Sequence, residues 1–153
     1  MFRYLAIAGD DALPDRSASA RQIILEWQAR SSWDVALLRP GLQVFTTGTR
    51  AGINEAFCLQ GDFYEDLGVV LGKLFRRGEF NSLPSPSASL DSKDMTNILA
   101  NGGRAVVSDF WGRYVAFLHT AAGSTLVLRD PSGALPCFRI RHQGVSIIFS
   151  WLE

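Results

Sequence analysis

Residues 112–150 read GRYVAFLHTAAGSTLVLRDPSGALPCFRIRHQGVSIIFS, and the order of apolar runs and turns in this stretch decides the fold. Four β-rich runs, Arg113 to Thr120, Ser124 to Arg129, Cys137 to His142 and Val145 to Ser150, are separated by Ala121-Ala122-Gly123, Asp130-Pro131-Ser132-Gly133 and Gln143-Gly144. Each separator supplies a glycine for positive φ, which predicts four consecutive strands in one antiparallel meander. Tyr114 to Leu118 and Val145 to Phe149 are apolar on both faces, so helices are expected on one side of the sheet and a second sheet on the other. The Arg129 to Pro136 turn reads as structural. In it the Asp130 carboxylate is expected to accept N–H bonds from Ser132 or Gly133, and Gly133 to take positive φ. The turn would then set the register of Leu126-Val127-Leu128 against Phe138-Arg139-Ile140.

Working outward, Phe2 to Ala8 is a strand ended by Gly9-Asp10-Asp11, and Ala20, Ile23, Ile24 and Trp27 share one face of a helix expected over about 18–30. Trp33 to Leu38, Leu42 to Thr47 and Ala56 to Leu59 suggest a further meander. Leu67, Val70, Leu71, Leu74 and Phe75 recur at helical spacing before Arg76-Arg77-Gly78, which predicts a helix. Residues 81–92 are rich in serine and proline and read as a mobile loop. Lys93 to Asn101 is a short helix with Met95, Ile98 and Leu99 inward, closed by Gly102-Gly103.

The chain has 153 residues, 47% of them hydrophobic, and is expected to be one domain over 1–150 with 151–153 a tail or cloning remnant. Its 15 Lys and Arg balance 15 Asp and Glu, which removes the electrostatic footprint of nucleic-acid binding. No apolar run approaches the ~20 residues of a spanning helix, so no membrane partner and a cytoplasmic location are expected. Cys58, Cys137, His119 and His142 have no zinc spacing, so no metal is expected, and the cysteines read as packed thiols. Ser87 to Ser92 is a distant likeness of a pyrophosphate-binding SGGxDS loop, but it lacks both glycines. No tight ATP binding is expected of it.

Gly61-Asp62-Phe63-Tyr64-Glu65, Gly112 to Leu118 and Arg129 to Phe138 stand in an order that resembles a known pattern. The chain is similar over its whole length to the glutaminase domain of asparagine-synthetase-like proteins, the class II glutamine amidotransferases. In that family Gly-Glu-(Ile/Val/Phe)-Tyr-Asn precedes a helix, and Gly-x-(Phe/Tyr)-Ala-Phe and Arg-Asp-x-x-Gly-x-x-Pro follow. The resemblance implies an α+β fold, the αββα sandwich of N-terminal nucleophile hydrolases, with two antiparallel sheets flanked by helices.

The family's nucleophile is a cysteine at the second encoded position, which here is Phe2. The resemblance makes Gln60, Gly61, Asp62 and Glu65 the positions of a degenerate glutamine pocket, and Arg129, Asp130, Gly133 and Pro136 a structural motif. It implies that the chain alone has no catalytic residues and no cofactor, with ATP and magnesium belonging to a following synthetase domain. Relatives without the cysteine include β-lactam synthetase and the lasso-peptide cyclases. The expected function is therefore that of an inactive glutaminase-like domain of an ATP-dependent amide ligase, most similar to a lasso-peptide macrocyclase. It would support the synthetase domain and substrate peptide binding. Expected partners are that domain or a partner ligase, a precursor peptide, a leader-binding protein or a protease. A stand-alone interaction module is the alternative, and an active amidotransferase a third.

Overall fold

A computed structural model describes residues 1–9, 18, 22, 23, 25, 26, 32–63, 65–78 and 88–151. Among the described residues, nine strands and two helices with both ends defined follow in order: β1 (Arg3–Ala8), β2 (Asp34–Arg39), β3 (Leu42–Thr47), β4 (Glu55–Gln60), β5 (Asp66–Arg76), α1 (Ser92–Ala100), α2 (Arg104–Asp109), β6 (Phe110–His119), β7 (Thr125–Arg129), β8 (Phe138–His142) and β9 (Val145–Phe149). They form two antiparallel sheets, ordered β2-β3-β1-β9-β8 and β4-β5-β6-β7. The fold is thus a mixed α+β arrangement.

The two sheets pack face to face. Tyr4, Ala6, Leu42, Val44 and Ile148 of one meet Val69, Leu71, Val115 and Phe117 of the other in a single buried cluster. The opposite face of the four-stranded sheet, carrying Val70, Leu74, Tyr114, Ala116 and Leu118, is covered by Ile98 of α1 and by Ala105 and Val106 of α2. On the far side Ile23, in helical backbone, packs on Leu5, Ile7, Val145 and Ile147. The rest of the helix expected over 18–30 lies outside the described residues, as does the loop from 81 to 87.

Residues 67–75 are strand, not the expected helix. Val69 and Leu71 face the other sheet while Val70 and Leu74 face the helices, so β5 is apolar on both sides and imitates helical spacing. Gly68 and Gly72, both unfavourable in a helix, were the opposing signal. A second correction concerns the C-terminal meander. β6 pairs with β7 and β8 with β9, but β7 and β8 belong to different sheets, so the Arg129 to Pro136 turn crosses the sandwich and sets no register between them. β4 likewise leaves β2 and β3 for the other sheet.

Residues 88–92 are not loop alone. Leu90 is buried, and Asp91 caps α1 reciprocally: its carboxylate accepts the Asp94 N–H at 2.8 Å, and Asp94 accepts the Asp91 N–H at 3.1 Å. α2, only six residues long, is too short for periodicity to reveal.

Candidate functional site

Phe2 stands directly before β1, the central strand of its sheet, and its half-buried ring packs on the core between the sheets. It lies 6.5 Å from the ring of Tyr4. The Tyr4 hydroxyl donates to the Pro136 carbonyl at 2.7 Å, and the Tyr4 N–H donates to Ser150 Oγ at 3.0 Å. Burial, reinforced by a hydrogen bond with Cys137, raises the Tyr4 pKa and keeps the phenol protonated. Position 2 thus presents a hydrocarbon ring over a neutral phenol.

The crossing turn seals the same end of the sandwich. Arg129 Nη2 donates to the carbonyls of Gly133 at 2.9 Å and Leu135 at 3.0 Å, and Leu135 inserts into the inter-sheet core. Asp130 is buried; it accepts hydrogen bonds from the Ser132 hydroxyl and from the N–H groups of Ala134 and Tyr114, each at 3.4 Å for the two amides. Burial alone would raise its pKa, but these donors outweigh burial and lower it. Gly133 has φ 64°, as expected for the turn. The expected contact from Ser132 is made and is joined by Ala134 and Tyr114, whereas the Gly133 N–H donates to the Asp130 main-chain carbonyl at 3.0 Å.

Gln60, Gly61, Asp62 and Glu65 gather at the opposite end. The Gly61 N–H donates to the Glu65 carbonyl at 2.9 Å, and Gln60 Nε2 donates to Asp66 Oδ1 at 3.1 Å. Arg39 binds the Asp66 carbonyl at 2.9 Å and Glu65 at 3.4 Å. Arg39 pairs with Leu42, which pairs with Ala8, the last residue of β1, whereas Phe2 precedes its first residue. The turn therefore lies a full strand length from Phe2 and joins two strands rather than leading into a helix. Tyr64 lies outside the described residues. Gln60, Gly61 and Asp62 border a cavity of about 490 Å³ against Met95 and Leu99 of α1.

The sequence reading placed residues 67–75 in a helix and so did not anticipate how β5 pairs. Gly72 of β5 pairs with Glu55 and with Tyr114, and Lys73, Leu74 and Phe75 follow it. A Cβ at Gly72 would lie 2.1 Å from the Arg113 carbonyl, and one at Gly112 would lie 2.1 Å from the Lys73 carbonyl, so the two strands approach closely only because both positions are glycine. Trp111 is 39% exposed and stacks on Phe75 with ring centroids 4.4 Å apart. The Arg113 guanidinium reaches the buried Asn54 side chain at 2.9 Å.

Comparison with family models, curated proteins and solved structures gives no match for this chain.

The chemistry of the two thiols is limited. Cys58 Sγ donates to Asp66 Oδ1 at 3.1 Å, and burial together with that carboxylate pushes its pKa up to about 12. Cys137 is half-buried beside Tyr4. Among the described residues no three His, Cys, Asp or Glu side chains are grouped to hold a metal, and no helix is long and apolar enough to cross a membrane. The Asp91 to Asp94 segment serves α1: Asp94 is bound by both guanidinium arms of Arg76, at 3.0 and 2.6 Å, and that pairing lowers its pKa.

Proposed function

We propose that this chain is a catalytically inactive glutaminase-like domain of an asparagine-synthetase-like ATP-dependent amide ligase, of the kind that closes a peptide ring with an amine already present on its substrate. The observation that carries this reading is Phe2 at the mouth of β1, where a ring occupies the place of a nucleophile in a two-sheet sandwich with helical residues on both outer faces. The finer assignment to the N-terminal nucleophile hydrolase fold belongs to the same reading. So does the alignment of Gly72 to Phe75, rather than Gly61 to Glu65, with the family's glycine motif. Its task is to shape the synthetase domain and the entrance for the substrate peptide, with ATP and magnesium held by that domain.

The outer face of the five-stranded sheet supports a covering partner. Val35 (55% exposed) and Leu38 (63%) on β2 and Ile140 (50%) on β8 leave apolar rims on either side of the Ile23 contact. The experiment adds this chain to an asparagine-synthetase-like ligase domain and measures ATP–pyrophosphate exchange. Faster exchange and a raised melting temperature are expected, and no change in either overturns the reading. Ammonia release from glutamine is expected at the level of a heat-killed control for the unaltered chain, and Phe2→Cys is not expected to restore it fully. A new thiol needs aligned oxyanion donors as well, each worth about 10²–10³ in rate. Release above that control refutes inactivity.

A further inference from the structure

β8 is an outer strand. Among the described residues it pairs only with β9, and all five of its residues are exposed. A strand with one unpaired row of N–H and C=O groups is a template for a further strand. Its side chains divide by face. Phe138 and Ile140 stand opposite Phe149 and Ile147 on the outer apolar face, whereas Arg139 and Arg141 stand opposite Ile148 and Ser146 on the other. Arg139 donates to Ser146 Oγ at 2.9 Å, and Arg141 has no hydrogen bond or ion pair with a described residue. Both arginines border a cleft of about 760 Å³, which Arg39 and His119 also line and which has no carboxylate among its described lining residues.

We propose that the free edge of β8 receives an extended acidic peptide as an added strand, its carboxylates at alternate positions pairing with Arg139 and Arg141. Residues two apart on a strand are about 6.6–6.8 Å apart and share a face, so Arg139 and Arg141 match carboxylates at i and i+2 of the incoming segment. The intervening residues of that segment fall beside Phe138 and Ile140, which selects apolar side chains there. Main-chain bonds provide affinity and the alternating pockets provide specificity, as in other strand-addition complexes. A second copy of the same edge brings arginine against arginine and is repelled. Nucleic acid is disfavoured because the chain has balanced charge and the cleft has no Phe, Tyr or Trp among its described lining residues on which a base would stack. The inference is independent of the reading of the Phe2 end.

The test is fluorescence anisotropy with a labelled heptapeptide in which glutamate and valine alternate. The full chain is expected to bind it, more weakly as salt is raised. Arg139→Glu with Arg141→Glu is expected to weaken binding at least about tenfold. The peptide with glutamine for glutamate is expected to lose the same affinity on the unaltered chain, which keeps the test decisive if the double variant fails to fold. Methylating alternate backbone amides of the peptide separates strand addition from charge attraction, and unchanged affinity after methylation overturns the proposal. Equal binding of the glutamine peptide, or tighter binding of a decathymidylate or of phosphatidylserine vesicles, overturns it as well.

Discussion

Replacing Asp130 tests whether the crossing turn holds the sandwich together. Asp130 is 3% exposed, and its carboxylate accepts from the Ser132 hydroxyl and from the Ala134 and Tyr114 amides. Ser132 and Ala134 are exposed and turn to water when the acceptor is lost, but the Tyr114 amide is buried in β6. One orphaned buried donor costs about 1–3 kcal/mol, and two lost bonds to a charged acceptor add about 1 kcal/mol net. Asp130→Ala should therefore destabilise the chain by about 2–4 kcal/mol, a fall in Tm of roughly 4–16 °C for a domain of this size. The assay is urea unfolding followed by tryptophan fluorescence. Because the folded pKa is lowered, this contribution is present above the unfolded value of about 3.9 and is lost as pH falls through the folded value. The gap between Asp130→Asn and the unaltered protein should accordingly narrow below pH 4. A midpoint unchanged at pH 7, or a gap that widens in acid, refutes the reasoning.

Gly133→Val forces a β-branched residue to φ 64°, with its Cβ 3.1 Å from Arg129 Nη2, and should cost about 1–3 kcal/mol in denaturant midpoint; no shift would contradict the turn geometry. Asp94→Asn breaks the Arg76 pair, and should cost about 1–3 kcal/mol at pH 7. Since pairing lowers the Asp94 pKa, the cost should shrink as pH falls from 5 to 2, and equal stability at neutral pH would show that the pair contributes nothing. Cys58, with its pKa near 12, should react with iodoacetamide at pH 8 at least about a hundredfold more slowly than a free thiol, and faster in Asp66→Asn. A rate within tenfold of glutathione, read by site-resolved mass spectrometry, excludes the thiol–carboxylate contact as the cause.

Local chemistry was legible in the sequence wherever a residue's neighbours along the chain decide its conformation. The strand at Arg3–Ala8, the runs that became β6 to β9, the turn glycines and α1 with inward Ile98 all follow from patterns shorter than about ten residues. Balanced charge and the phenylalanine at position 2 likewise needed no coordinates. The sequence did not determine partnership. Strand pairing joins residues far apart, as Tyr4 joins Thr46, and nothing within Thr125–Arg129 or Phe138–His142 says that these strands enter different sheets. Residues 67–75 carry an apolar pattern compatible with two periodicities, and burial between a sheet and a helix pair selected the strand. That choice also decided the candidate site: it put Gln60 and Gly61 at one end of β5 and Gly72 to Phe75 towards the other, paired with β6. Motif order along the chain constrains which residues exist, whereas antiparallel packing of long strands decides which of them share an end.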